Sequence, residues 1–167
     1  MSYTAQRYEF RDKPGDYARL AQDLSGLLAG ESDRLANAAN TAALIFAALP
    51  DINWAGFYFL HGTELVLGPF QGKPACVRIG LGQGVCGAAA AQRRTLVVPD
   101  VQKFPGHITC DSASRAEIVV PLLERGTLIG VLDVDSPVAG RFDEADARGL
   151  ETLATLLVTA SAARPSR

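Results

Sequence analysis

The sequence is poor in the residues that usually bind metals, and their spacing is not that of a metal site. It contains three cysteines and two histidines, His61 and His107. No two cysteines form the Cys-x-x-Cys pair of common zinc sites. A site made from the three cysteines and His107 is the remaining alternative. We therefore expect neither a bound metal nor any other cofactor.

Long apolar runs and strong net charge are also missing. The longest apolar runs, such as Trp54–Leu60 and Ile118–Leu123, are too short to cross a bilayer. The net charge is −2, and lysine and arginine are scattered, which argues against nucleic acid or a membrane as the partner. The first residues have no apolar core of a secretory signal. We expect a cytoplasmic protein, in which cysteines serve transient redox chemistry, metal binding or packing.

Apolar residues recur at helical spacing near both ends of the chain. This predicts two helices within residues 16–49, the second with Ser32 as its N-cap. Asp143 can cap a further helix within residues 143–163. The apolar stripe predicted for the second helix consists of Leu35, Ala39, Ala42, Ile45, Phe46 and Leu49.

The middle of the chain, residues 53–137, has the pattern of about six strands with a hairpin at either end. The third of these strands is predicted at Cys76–Ile79. One small helix, Val85–Arg93, interrupts the strands. A doubly wound parallel sheet would need a helix between most strand pairs. At 167 residues, the chain therefore suits a single α+β domain, an antiparallel sheet with helices packed on it.

The cysteines lie in polar or glycine-rich contexts, where a packed structural cysteine is less expected. Cys110 is flanked by polar residues, with acidic residues on its C-terminal side. Taken singly, each of Cys76, Cys86 and Cys110 is more often structural than catalytic. Together they suit a dithiol cycle, in which one thiol attacks an oxidised substrate and a second resolves the sulfenic acid as a disulfide. We interpret Cys110 as the redox nucleophile.

Three acidic residues can converge at one end of the sheet. Asp133 and Asp135 are two apart on a strand, so their side chains share a face, and Glu117 opens the neighbouring strand. They either end the strands in solvent or border a pocket. Negative charge raises a thiol pKa, so a protonated carboxyl that donates to a substrate oxygen suits the site better than a stabilised thiolate. A substrate ammonium could balance the remaining charge.

Aromatic and glycine residues complete the candidate pocket. Trp54 and Tyr58 share a strand face and could enclose a small apolar group, whereas Phe57 points to the core. The glycines of segment 80–87 match neither a P-loop nor a dinucleotide fingerprint. They serve turn geometry, or their backbone N–H groups hold a carboxylate.

Several sequence blocks resemble one known family, the free methionine-(R)-sulfoxide reductases, which are single-domain enzymes with the GAF fold. The resemblance extends over about residues 16–160 and includes all three cysteines. The blocks are Asn53–Tyr58, Gly68–Cys76, Gly84–Gly87, Phe104–Ser114 and Gly130–Pro137.

The resemblance implies a reaction for the cysteines. Cys110 would attack the sulfoxide sulfur of the free amino acid and become a sulfenic acid. Cys76 would resolve it as a disulfide, which thioredoxin would reduce, and Cys86 would be an accessory thiol. The nucleophile assignment between Cys110 and Cys86 stays open at this point.

The resemblance also implies a binding pocket and an assembly. Glu117, Asp133 and Asp135 would bind the ammonium and protonate or orient the sulfoxide. Trp54 and Tyr58 would enclose the S-methyl end. GAF domains often dimerise through terminal helices, so a homodimer is expected. The alternative is a non-enzymatic GAF module that binds a small molecule or senses redox state.

Overall fold

The structure is a computed structural model, and it describes residues 8–108 and 112–162. Cys110, the predicted nucleophile, therefore lies outside the described residues. The helices are α1 (Lys13–Leu27), α2 (Arg34–Ala48), α3 (Gly84–Gln92) and α4 (Glu144–Ser161), with a short 3-10 helix at Val101–Lys103. The strands are β1 (Trp54–His61), β2 (Glu64–Gly72), β3 (Arg78–Gly80), β4 (Leu96–Val98), β5 (Ala116–Glu124) and β6 (Thr127–Ser136).

The strands form one antiparallel sheet in the order β3-β2-β1-β6-β5-β4. Consecutive strands β1 and β2 form one hairpin, and β5 and β6 form the other. The long strands β1 and β6 lie at the centre of the sheet, and the three-residue strands β3 and β4 lie at its edges. The predicted α+β arrangement, a helix-covered antiparallel sheet of about six strands, is confirmed.

The two faces of the sheet contact different layers. Helices α2 and α4 pack on one face, and α1 packs on these helices; together they form the larger core, which includes Phe57 as predicted. Helix α3 and the surrounding loops cover the other face, where a smaller cluster includes Trp54, Tyr58 and Cys86. Because side chains alternate along a strand, one strand contributes to both layers. The candidate site lies on the smaller side.

Helix α4 begins as the sequence predicts, at an N-cap Asp143. The Asp143 carboxylate accepts hydrogen bonds from the backbone N–H groups of Ala145 and Asp146, and Asp146 completes a capping box. Lys13 on α1 donates to both carboxylates. The buried Tyr17 hydroxyl donates to Asp146 Oδ1 at 2.9 Å. These ion pairs and hydrogen bonds connect α1 to the start of α4.

Helix α2 corrects the prediction of its N-cap. Asp33, not Ser32, is the cap, and its carboxylate accepts a hydrogen bond from Ala36 N at 2.8 Å. An ionised carboxylate at this position also interacts favourably with the positive end of the helix dipole.

The apolar stripe predicted for α2 was partly wrong. Leu35 is 65% exposed and Phe46 is 36% exposed, whereas Asn37 and Thr41 are buried. The Asn37 amide donates to Ser161 Oγ on α4, so its polar atoms have partners in the interior. Because α2 carries apolar residues almost all round, packing against α4 and the sheet decides which face is buried. The predicted residue Ala39 is also exposed.

Strand β3 is later than the predicted Cys76–Ile79. It covers Arg78–Gly80 and pairs with the start of β2. Cys76 therefore lies in the loop that precedes β3. No helix in the described parts of the chain has the length and apolar character needed to cross a membrane.

Candidate active site

A pocket opens at the end of the sheet where β1, β5 and β6 meet helix α3. Its walls come from these strands, from the first turn of α3 and from the loops before β3 and β5. The lining residues are Trp54, Tyr58, Lys73, Pro74, Ala75, Ile79, Gln83, Gly84, Val85, Cys86, His107, Ile108, Ser114, Glu117, Asp133 and Asp135.

Strand register brings the three acidic residues together. Glu117 on β5 lies directly opposite Asp135 on β6, and Asp135 lies opposite Trp54 on β1. Asp133 is two residues earlier on β6 and shares the same face. All three carboxyl side chains line the pocket. Glu117 and Asp133 are each only 6% exposed.

Burial of these carboxyl groups changes their protonation. Desolvation is the largest cause that raises the pKa of Glu117 well above its ordinary range, and the neighbouring Asp133 and Asp135 add to it. Burial also raises the pKa of Asp133 to about 7. Near neutral pH the pair therefore holds at least one proton. The pocket thus offers both a proton donor and an anion.

Cys86 belongs to the same cluster and lies in the first turn of α3. It is a free cysteine, 4% exposed, and its Sγ donates to Glu117 Oε1 at 3.8 Å. A helix N-terminus lowers a thiol pKa, but here burial raises it strongly, and Asp133 and Glu117 raise it further. Cys86 is consequently a protonated thiol, held against carboxyl groups.

Two aromatic side chains form one wall of the pocket. The Trp54 ring stacks on Tyr58 with centroids 6.0 Å apart, and on Phe70 at 5.3 Å. Trp54 Nε1 donates to the Lys73 carbonyl at 3.1 Å, and the Tyr58 hydroxyl donates to the Cys76 carbonyl at 3.0 Å. The loop that carries Cys76 is therefore fastened to this wall, although Cys76 itself is not among the lining residues.

Several lining residues were missed by sequence reasoning because they lie in loops. Lys73, Gln83 and Ser114 are among them. His107 also lines the pocket. Its Nδ1 is buried and has no hydrogen-bond partner among the described residues, and burial lowers its pKa. Lys73, His107 and Ser114 lie within the sequence blocks Gly68–Cys76 and Phe104–Ser114, and these blocks were the signal that could have found them.

Most of the predicted site residues lie close together. Trp54, Tyr58, Cys86 and the three acidic residues lie around one pocket, and Cys76 adjoins its aromatic wall. Cys110 is outside the described residues. The residues on either side, Ile108 and Ser114, both line the pocket. The parts that these residues play in a reaction stay predictions.

Known proteins identify this architecture. The family model described as GAF domain matches residues 23–160. The free methionine-R-sulfoxide reductase of Escherichia coli (strain K12) is 55% identical over 141 residues, which cover 84% of this chain and 86% of that protein. The chain belongs to this family of GAF-domain reductases.

Two further members of the free methionine-R-sulfoxide reductase family show the same likeness. The protein of that name from Saccharomyces cerevisiae is 45% identical over 147 residues, covering 83% of this chain and 82% of its own length. An X-ray structure of the Neisseria meningitidis free methionine-R-sulfoxide reductase, in complex with its substrate, superimposes with a TM-score of 0.88. It is 45% identical and covers 95% of this chain and 96% of that chain. The resemblance predicted from sequence blocks is confirmed.

Proposed function

We propose that this protein reduces free methionine-(R)-sulfoxide to methionine. The observation that carries the proposal is the buried cluster of Glu117 and Asp133, facing an aromatic wall in a small pocket. Free methionine sulfoxide has an ammonium, a carboxylate, a polar S=O group and an apolar methyl, and the pocket offers a complement for each. The names of the family members quoted above agree with this substrate.

We assign the acidic residues to the substrate ammonium and to the sulfoxide oxygen. Asp135, which lies opposite Glu117, pairs with the substrate ammonium. A protonated carboxyl, Glu117 or Asp133, donates to the sulfoxide oxygen. Raised pKa values in a cleft are typical of groups that transfer protons.

The S-methyl group and the carboxylate of the substrate contact the aromatic wall and the start of α3. Trp54 and Tyr58 enclose the S-methyl group, since their stacked rings form the apolar side of the pocket. The substrate carboxylate faces the start of α3. That helix begins at Gly84 without a side-chain cap, and its first three residues line the pocket. Backbone N–H groups at a helix N-terminus are suited to an anion.

Cys110 is the proposed nucleophile. Its sulfur attacks the sulfoxide sulfur, a carboxyl protonates the oxygen, and the oxygen passes to Cys110 as methionine leaves. The S–O bond of the substrate breaks while an S–O bond to cysteine forms, so one thiol becomes a sulfenic acid and the sulfoxide becomes a thioether. Pocket-lining residues Ile108 and Ser114 on either side support this position. Cys86 is less suited to attack because burial and acidic neighbours keep it protonated.

Cys76 is the proposed resolving thiol. Its attack on the sulfenic acid forms a disulfide and releases water, after which thioredoxin supplies two electrons. Cys76 lies in the loop that the Tyr58 hydroxyl holds against the aromatic wall of the pocket, which supports its role as the second thiol. Thioredoxin as reductant implies a reducing compartment, and we propose the cytoplasm. Protection against oxidative stress is the role that such a cycle would serve.

A thioredoxin-coupled NADPH assay with the separate R and S sulfoxides of free methionine tests the proposal. We expect turnover of the R form alone in wild type, none in Cys110→Ser, and measurable turnover in Cys86→Ser. After substrate is added without reductant, mass spectrometry should show a disulfide between Cys76 and Cys110. Turnover that persists in Cys110→Ser would transfer the nucleophilic role to Cys86. Absence of turnover with either free sulfoxide would reject the function.

A homodimer is also proposed. The sequence favours contact through residues 143–163, but the large exposed apolar side chains of the described helices, Leu35 and Phe46, lie on α2. Sedimentation equilibrium on wild type and on a Leu35→Lys, Phe46→Lys variant distinguishes the two surfaces. Loss of the dimer in the variant would place the interface on α2.

A further inference from the structure

We propose that Cys86, Glu117 and Asp133 form a binding site for Zn²⁺, and that the ion and the sulfoxide substrate exclude each other. The ion would act as an inhibitor rather than as a cofactor of the reaction. The binding site stands on geometry alone. The mutual exclusion rests on the function proposed above.

Each of the three side chains has one possible ligand atom close to those of the other two. The Sγ of Cys86 and a carboxylate oxygen from each of Glu117 and Asp133 all lie within 4.8 Å of one another. The Cys86 Sγ to Glu117 Oε1 distance is 3.8 Å. In a tetrahedral zinc site with ordinary bond lengths, a sulfur and an oxygen ligand are about 3.5 Å apart. Small side-chain shifts therefore bring the three atoms to ligating positions.

The chemistry of the ligand set selects the kind of ion. One thiolate with two carboxylates is a mixed soft and hard set, which suits Zn²⁺ and its spectroscopic substitute Co²⁺. Mg²⁺ and Ca²⁺ prefer oxygen ligands alone, in sites of six or more. The Cys86 thiol loses its proton to solvent as the sulfur–metal bond forms. The spacing of the three cysteines in sequence gives no sign of this set, because two of the ligands are carboxylates from strands β5 and β6.

A separate observation points to a ligand at the same place. Asp133 is 6% exposed, and its Oδ1 atom has no hydrogen-bond partner among the described residues. This side chain lines the pocket. A buried carboxylate oxygen without a partner is costly, and a metal ion would satisfy it.

Charge at the site explains why ion and substrate compete. The fully deprotonated set carries three negative charges, of which a divalent cation neutralises two. The substrate ammonium is proposed to rely on the same cluster, and a carboxylate that ligates the metal is not available to donate a proton. The three proposed metal ligands also line the pocket proposed for the substrate, so the ion would take the place of the substrate there.

The test uses the protein in which Cys86 is the only cysteine, Cys76→Ser with Cys110→Ser. Co²⁺ is titrated into this variant, and its absorption spectrum is recorded. We expect one ion per chain, the visible bands of tetrahedral cobalt and a thiolate-to-cobalt charge-transfer band. Displacement of Co²⁺ by Zn²⁺ should abolish the spectrum. No stoichiometric binding, or a spectrum without the thiolate band, would overturn the site.

Matched variants assign the ligands. On the same background, Cys86→Ala should remove the charge-transfer band, and Asp133→Asn should weaken Co²⁺ binding at least about tenfold. Asp100→Asn, which changes a carboxylate outside the lining of the candidate site, should leave binding unchanged. Circular dichroism without metal shows whether each variant is folded. If folded Cys86→Ala or Asp133→Asn bound Co²⁺ as tightly as the parent, these residues would not be the ligands and the proposal would be wrong.

The exclusion is measured separately on the same background, where no turnover is expected. Binding of free methionine-(R)-sulfoxide is first measured by calorimetry without metal. We then expect saturating sulfoxide to raise the apparent Kd for Zn²⁺ at least about tenfold. If sulfoxide binds but leaves the affinity for Zn²⁺ unchanged, the exclusion is overturned. Failure of sulfoxide to bind at all would count against the proposed function, and the cobalt titration would still decide the metal site.

Discussion

Glu117 and Asp135 lie directly opposite each other on the antiparallel strands β5 and β6. Two like charges in a cross-strand pair destabilise a sheet, and Asp133 adds a third carboxyl group to the same face. The groups nevertheless lie around a pocket, beside the stacked rings of Trp54 and Tyr58. Such an arrangement is stabilised by protons, by a cation, or by both.

Replacement of Glu117 by glutamine should reduce turnover strongly. The amide keeps the shape of the side chain but cannot give up a proton to the sulfoxide oxygen as an acid does. We expect kcat/KM for free methionine-(R)-sulfoxide to fall by about 10²–10⁴-fold, the usual loss for a general acid. Steady-state kinetics with the coupled assay measure this.

Glu124→Gln is the matched control for that substitution. Glu124 is on the same strand but at its far end, where it forms an ion pair with Arg34 at 2.8 Å. A part-exposed ion pair contributes little to stability, so kcat/KM should stay within about twofold of wild type. Equal losses in both glutamine variants would mean that charge on β5, and not the pocket position, matters.

Blocking the amine of the substrate should abolish recognition. N-acetylmethionine sulfoxide has no ammonium to compensate the acidic cluster, and its amide would leave a buried carboxylate unpaired. We expect kcat/KM for the acetylated compound to be at least about 100-fold lower than for the free amino acid. A methyl ester of the substrate, which keeps the ammonium, is the comparison compound. Similar rates for free and acetylated sulfoxide would contradict the assignment of the acidic residues to the amine.

Asp133 should make the folded protein less stable as the pH rises towards neutrality. Burial raises its pKa to about 7, against 3.8 for an ordinary aspartate, so the folded state holds this proton more tightly than the unfolded state does. The stability from that proton is fully present below about pH 4 and is lost as the pH rises to about 7. Between pH 4.5 and 8, Asp133→Asn should therefore gain at least about 1.4 kcal/mol relative to wild type. Urea unfolding at each pH measures this difference.

The control for that pH dependence is Asp143→Asn. A hydrogen bond from Lys13 is the main cause that lowers the pKa of Asp143 to about 2, which is the opposite direction. Its contribution to stability is present above about pH 4 and is lost only as the pH falls towards 2. The difference between this variant and wild type should consequently stay constant from pH 4.5 to 8. A constant difference for Asp133→Asn as well would show that its carboxyl is not protonated by burial.

Packing between α1 and α4 should not tolerate a single added methyl group. A Cβ atom at Gly149 would lie 2.2 Å from the Tyr17 ring. Gly149→Ala should therefore lower the free energy of unfolding by about 1–3 kcal/mol. Gly26→Ala on α1 meets nothing within 4 Å and should instead raise it by up to about 1 kcal/mol, since alanine is the better helix former. Urea unfolding of both variants compares them, and stabilisation by Gly149→Ala would mean that the two helices are less tightly packed than described.

Local features of the fold could be predicted from the sequence. The Asp143 cap and the hairpin between β5 and β6 depend on neighbouring residues, and both were predicted correctly. Strand alternation likewise places Asp133 and Asp135 on one face. The buried face of α2 could not be predicted, because it depends on a contact between Asn37 and Ser161, far apart in the chain.

The candidate site could likewise be predicted only in part. Its strand residues follow from alternation and pairing, so Glu117 and Asp135 were expected to be near each other. The contact between Cys86 and Glu117 depends on how α3 packs on β5, which no local pattern specifies. Loop residues such as Lys73 and His107 also line the pocket, but loops lack the periodic sequence pattern of helices and strands. Only the sequence blocks around the cysteines could have indicated them.

The different layers on the two faces of the sheet have a consequence for how the chain can vary. Along β6, Asp133 faces the pocket, while its neighbours Leu132 and Val134 belong to the core beneath the helices. Mutational scanning of this strand should therefore alternate in phenotype from one position to the next. Changes at Leu132 or Val134 would reduce the amount of folded protein, and changes at Asp133 or Asp135 would reduce activity per folded molecule. Natural variation could then alter substrate preference on one face without loss of the scaffold on the other.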